Sequence, residues 1–113
     1  MSDIIEADYQ LFINRKGRHL LGPGRTELLF GIQRTGSLRA ASKELNISYQ
    51  HAWSLIDAIN QAASEPIVIK QRGGIGGGGA SLSVYGDKLL KDYLAIEKEV
   101  QKFFRQLNME LNL

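Results

Sequence analysis

The stretch from Gly36 to Ala63, GSLRAASKELNISYQHAWSLIDAINQAA, leaves the chain little choice of local structure. Leu38, Ala41 and Leu45 recur three and four residues apart, which sets them on one face of a helix. Ser37 stands just before that run, where its hydroxyl can accept from an amide left orphaned in the first turn. Leu45-Asn46-Ile47-Ser48 makes the break, and it is short. Asn46 tolerates left-handed backbone, while Ser48 is placed to cap a second helix running from Tyr49 to about Ala63. Small Ala40 and Ala41 let two helices cross closely, and Ile47 fills the corner between them. Residues 37–63 thus carry the helix-turn-helix pattern, whose second helix commonly enters a DNA major groove. Helix pairs also occur in proteins that bind no DNA, so the flanking sequence has to decide.

Before this pair, Tyr9 to Asn14 alternates with Tyr9, Leu11 and Ile13 on one side, as a strand does. Lys16-Gly17 makes a turn, and His19-Leu20-Leu21 returns as a short second strand. Gly22-Pro23-Gly24 is expected to stop regular structure. A helix then begins near Arg25, turns Leu28, Leu29 and Ile32 inward, and ends at Gly36.

After the pair, Pro66 closes the second helix, because the residue before proline avoids helical geometry. Pro66 to Arg72 and Ala80 to Val84 are extended segments rich in β-branched residues, joined by the glycine run 73–79. A hairpin directly after a helix-turn-helix is a wing, here 66–84. The fold expected is α+β and mainly α: a winged helix-turn-helix with a short N-terminal β-hairpin and a long C-terminal helix.

Ser83 can cap that last helix, with Gly86 costing it a little stability. Leu89, Tyr93, Ile96, Val100, Phe103 and Leu107 then alternate four and three apart, an a/d heptad seam with Lys88, Lys91, Asp92, Glu97, Glu99 and Lys102 off it. A homodimer through this seam is expected, so residues 1–84 form the winged helix and 85–113 the dimerisation helix. The alternative is that the seam folds back onto its own domain.

Composition narrows the function classes. The 113 residues contain no cysteine, which excludes a disulfide framework or a thiolate site. No apolar run approaches membrane-spanning length and Met1 to Gln10 is acidic rather than basic, so a cytoplasmic protein without a membrane partner is expected. The net charge is only +2, but its distribution is uneven. Arg15, Lys16, Arg18, Arg25, Arg34, Arg39 and Lys43 face one acid, Glu27, between Tyr9 and Lys43. From Tyr85 onward five bases balance five acids. The positive field therefore lies with the candidate binding region.

Gly74 to Gly79 formally matches G-x-G-x-x-G, yet a strand follows it instead of the helix a dinucleotide site needs, and no Lys-Ser/Thr pair completes a phosphate loop. No cofactor is expected. His19 and His51 have no ligand partners at metal spacing, and no nucleophile-base set or close carboxylate pair is present, so neither a metal site nor catalysis is expected. In the second helix Trp53 shares a face with Ile56, Ile59, Asn60 and Ala63 and is assigned to the core. Gln50, Ser54, Asp57 and Gln61 lie opposite. Gln50, His51 and Ser54 are placed to reach base edges, Ser48 and Tyr49 to take phosphates, and Asp57 is left as structural. Lys70 and Arg72 flank the wing tip and would add backbone contacts.

Several segments together resemble the N-terminal DNA-binding domain of the ModE molybdate-responsive transcription regulators. They are Leu20-Leu21-Gly22-Pro23-Gly24-Arg25, Thr35-Gly36-Ser37-Leu38, Ser48-Tyr49 with Ala52-Trp53, the glycine run with Ala80, and Leu82-Ser83-Val84-Tyr85-Gly86. That family usually has threonine in place of Ser83. LysR-type regulators share a more distant version of the helix-turn-helix. The resemblance implies a dimer on double-stranded DNA with a near-palindromic operator and a setting in molybdenum metabolism. Ser37, Arg39, Ser48, Tyr49, Gln50, His51, Ser54, Lys70 and Arg72 are the DNA-binding candidates. Full-length members carry C-terminal molybdate-binding domains, which this chain, ending at Leu113, does not show. Molybdate is therefore not expected to bind it. The competing reading is a winged-helix interaction module that does not itself read DNA.

Overall fold

The computed structural model describes residues 5–71 and 79–111. Its elements run β1 (Ile13–Arg15), β2 (Arg18–Leu21), α1 (Pro23–Thr35), α2 (Leu38–Glu44), α3 (Tyr49–Ala62), β3 (Val68–Lys70), β4 (Ala80–Leu82) and α4 (Val84–Glu110). This is the expected α+β winged helix. Arg72 and the glycines 73–78 expected at the wing tip lie outside the described residues.

The N-terminal hairpin turns on Lys16 (φ 52°) and Gly17 (φ 75°), both left-handed, as a two-residue turn matched to strand twist requires. Its first strand is shorter than the alternation from Tyr9 suggests. Residues before Ile13 bond to α4 instead: the Tyr9 hydroxyl donates to Glu97 O (3.4 Å), and the Tyr93 hydroxyl donates to Leu11 O (3.0 Å). Helix α1 begins at Pro23, two residues ahead of expectation. Proline suits the first helical position, where its missing N–H would have had no helical partner. Gly36 ends the helix with left-handed backbone (φ 69°) and donates to Ile32 O.

Each later helix starts on a serine. Ser37 Oγ accepts from Ala40 N (3.1 Å), Ser48 Oγ from His51 N (3.0 Å) and Ser83 Oγ from Gly86 N (2.9 Å). Asn46 takes the left-handed turn position (φ 59°). Helices α1 and α2 cross at Gly31, where an added Cβ would stand 2.9 Å from Ala41 Cβ. In the wing, antiparallel β3 and β4 pair Val68 with Leu82, and Ala80 N donates to Gly36 O (3.1 Å), tying the wing to the end of α1. The core between these elements contains Leu21, Leu28, Leu29, Ile32, Ile56, Ile59, Ile67, Leu90 and Tyr93, all essentially without solvent exposure.

Tyr93 corrects the seam reading. It is 1% exposed within its own chain, so its ring is not offered to a partner. Leu89 is half-buried against the same core. Helix α4 in fact carries two adjacent stripes. Gly86, Leu90, Tyr93, Glu97, Phe104 and Asn108 repeat at helical spacing and face the chain's own body. Tyr9 packs on Phe104 (centroids 4.7 Å apart), and Asn108 exchanges a pair of hydrogen bonds with the Ala7 backbone (2.6 and 3.1 Å). Beside this stripe Ile96 (44%), Phe103 (62%) and Leu107 (37%) stand exposed, with Val100 half-buried among them.

Candidate nucleic-acid interface

A polar helix face becomes a reading surface only if the helix behind it is held rigidly. Here Ala52, Ile56, Ile59 and Ala62 bury one side of α3, and Ser48 fixes its start. Asn60 fixes its far end to the wing: Oδ1 accepts from Ile67 N (2.8 Å) and Val68 N (3.2 Å), and Nδ2 donates to Val68 O (3.3 Å). Asn60 was assigned only to the inward face from sequence. The clamp could have been suspected, because a buried asparagine needs several partners.

The opposite side of α3 is open. Gln50, His51, Ser54, Asp57 and Gln61 are all exposed, the first three within two turns of the helix start. Ser48 is exposed too, although its hydroxyl already holds the cap. Ser37 is half-buried and caps α2 in the same way. Tyr49 is half-buried rather than free to swing. Its ring lies under Arg39, whose Cζ is 4.4 Å from the ring centroid, and meets Trp53 edge-on at 6.1 Å. Trp53 packs against the core as expected, but only from its rim. It is half-buried, and Lys70 Nζ stands 3.5 Å from its ring centroid. Sharing a face with isoleucines does not bury an indole at the rim of that face.

The basic stretch separates into distinct roles. Arg34 is bonded to Glu44 across the α1–α2 crossing, a charge-assisted contact that holds the Glu44 carboxyl below the usual carboxylate range. Arg25 donates to His19 O (2.6 Å) and Leu20 O (3.3 Å), which fixes the hairpin against α1. Arg39 and Lys70, by contrast, make no ion pair among the described residues, and both are exposed. They reach α3 from two elements, Arg39 from α2 onto Tyr49 and Lys70 from β3 onto Trp53. Arg72, the other wing candidate, lies outside the described residues. His19 and His51, 32 positions apart in sequence, line one open groove with Phe12, Leu45, Ile47 and Leu55. Partial burial pushes the His19 pKa down and the nearby Arg25 charge adds to the effect, so neutral imidazole is favoured there.

A capped helix pair, an exposed polar second helix and a β-hairpin packed behind it define a winged helix-turn-helix domain. No protein-family model matches the chain. Individual proteins do. It is 42% identical to the molybdenum-pterin-binding protein MopB of Rhodobacter capsulatus over 82% of its own length and 34% of that protein's. It is 40% identical to the molybdenum transport protein ModE of Azotobacter vinelandii (81% and 34%). To the DNA-binding transcriptional dual regulator ModE of Escherichia coli K12 it is 34% identical (92% and 40%). The chain belongs to the ModE family, and it spans between about a third and two-fifths of the length of these relatives.

Proposed function

We propose that this chain is the DNA-reading part of a transcription regulator in molybdenum metabolism. It would act in the cytoplasm as a homodimer on a near-palindromic operator, without enzymatic activity. The observation that carries the reading is the outer face of α3. Gln50, His51 and Ser54 stand exposed on a helix fixed at both ends, and Arg39 and Lys70, which make no ion pair among the described residues, stack on Tyr49 and Trp53 of the same helix. Glutamine can pair with adenine through two hydrogen bonds, and serine and histidine can reach other base edges. Ser37, Ser48 and Tyr49 lie beside the two cations, where backbone phosphates would run. The names of the relatives support the same reading, two of them being a DNA-binding regulator and a molybdenum transport protein. Binding of molybdate is not part of the proposal.

The homodimer rests on the second stripe of α4. Ile96, Val100, Phe103 and Leu107 keep heptad spacing, and among the described residues Ile96, Phe103 and Leu107 stay exposed with Val100 half-buried between them. Residues 1–84 would then read DNA, while the part of 85–113 beyond Tyr93 joins two copies. Fluorescence anisotropy with duplex DNA tests the reading. Affinity should fall by a factor on the order of 10³ between about 50 and 200 mM salt as counterions are released. A protein that binds no duplex even at the lower salt would sink it and leave the interaction-module reading.

A further inference from the structure

The chain's single tryptophan stands at the junction of α3 and the wing, where it packs on the rim of the core and keeps part of its ring exposed. Lys70 Nζ lies 3.5 Å from the centroid of the indole. Tyr49 meets the same ring edge-on, at 6.1 Å and 89°. Arg39 Cζ in turn stands 4.4 Å above the Tyr49 ring. Four side chains from α2, α3 and β3 thus line up as cation, ring, ring, cation. An aromatic ring attracts a cation to its negative face and prefers a second ring edge-on, so each step of the row is favourable.

The row differs from how the chain holds four of its other cations. Among the described residues Arg34, Lys88, Lys91 and Lys102 are paired with carboxylates. A carboxylate fixes a cation by cancelling its charge, which would weaken any attraction for phosphate. An aromatic face fixes the cation and leaves the charge in place. A stacked lysine has also lost much of the rotamer freedom that it would otherwise lose on binding. Asn60 clamps the base of the wing, and the stack on Trp53 adds a second point further along β3.

We propose that Trp53 is a positioning residue for duplex binding, whose indole face holds the Lys70 ammonium toward the DNA backbone and fixes the wing to α3. This rests on the DNA-reading proposal above. Its role is to place a phosphate contact, not to read a base.

Two measurements test it. In NMR spectra of the free wild-type protein, the Lys70 side-chain methylene resonances should be displaced upfield by the indole ring current. That displacement should vanish in Trp53→Leu. In duplex titrations, Trp53→Leu should weaken binding about two- to fivefold for every sequence tried, as expected for loss of an exposed cation–π contact. Trp53→Phe, which keeps a π face, should recover part of the loss. Lys70→Ala should lower the slope of log affinity against log salt by about one. In the Lys70→Ala background, Trp53→Leu should then have no further effect. Unshifted Lys70 resonances in the wild-type protein, or losses that simply add, would overturn the proposal, and the first needs no variant to fold. Duplex binding that is indifferent to Trp53→Leu overturns the positioning role alone. Absence of duplex binding by the wild-type protein overturns the DNA reading with it.

Discussion

Gly86→Ala is the substitution for which helix propensity and packing give opposite signs. Gly86 lies in the first turn of α4, and alanine in a helix is favoured over glycine by up to about 1 kcal/mol. On that ground alone the variant should be more stable. The added Cβ would stand 2.3 Å from Ile67 O, 2.8 Å from Ile67 Cγ2 and 3.1 Å from Ile67 C. Ordinary contact requires the Ile67 backbone to retreat by roughly 1 Å. It has little room, because Ile67 is fully buried, its N–H is held by Asn60, and its carbonyl accepts from Ser83 N at 2.8 Å. Overpacking of this kind costs about 1–3 kcal/mol, and weakening the Ser83 bond adds about 0.5–1.5. Against the propensity gain, the net loss is about 2 kcal/mol. For a domain of this size that lowers the melting temperature by about 8 °C. Thermal unfolding followed by circular dichroism measures it directly. Gly24→Ala is the control, since its added Cβ would meet nothing within 4 Å and should leave the melting temperature unchanged or slightly higher. A Gly86→Ala protein melting at or above the wild type would refute the close approach of α4 to the wing base.

Three further outcomes are expected. Phe103→Glu should convert a dimer to a monomer in sedimentation at micromolar concentration while helical content is retained; a protein already monomeric before substitution would remove the basis for the dimer. Ser48→Ala should cost about 1 kcal/mol in urea unfolding through loss of the α3 cap, and an unchanged midpoint would mean that the cap contributes nothing. Glu44→Gln should be less stable than wild type at neutral pH. Bonding to Arg34 lowers the folded-state pKa of Glu44, so the stability it contributes is present above the unfolded pKa and is lost as pH falls through the folded one. The difference between the two proteins should therefore close under acid conditions, and a gap that persists once Glu44 is protonated would point to a steric origin.

Local chemistry carried most of the fold into view from sequence. The caps at Ser37, Ser48 and Ser83 and the turn residues Lys16-Gly17 and Asn46 are legible because donor and acceptor lie within three residues of each other. Contacts between distant segments were not legible. Heptad spacing marks a helix face but not what covers it, so Tyr93, bonded to Leu11, was placed with the exposed residues Ile96 and Phe103. Gly86 looked like a minor helix weakness because Ile67, which requires it, lies 19 positions away. For the candidate interface, the exposed face of α3 followed from periodicity. The separation of Arg34 from Arg39 did not: only the crossing of α1 and α2 brings Glu44 to one, while the other has no ion pair among the described residues.

The two stripes of α4 also have a mechanical consequence. The helix is continuous from Val84 to Glu110, about 40 Å of rod without a proline. Leu90 and Tyr93 seat it in the core. One arm runs about 20 Å outward to Leu107, and the other about 10 Å inward to Gly86. The outer arm is itself tied, by Tyr9 on Phe104 and by the Ala7 backbone on Asn108, so a force at Leu107 acts on the rod and on the N-terminal segment together. There is no slack at the Gly86 end, since not even a methyl group would fit between that residue and the Ile67 carbonyl. Whatever grips the exposed end of this rod also has a hold on the root of the wing.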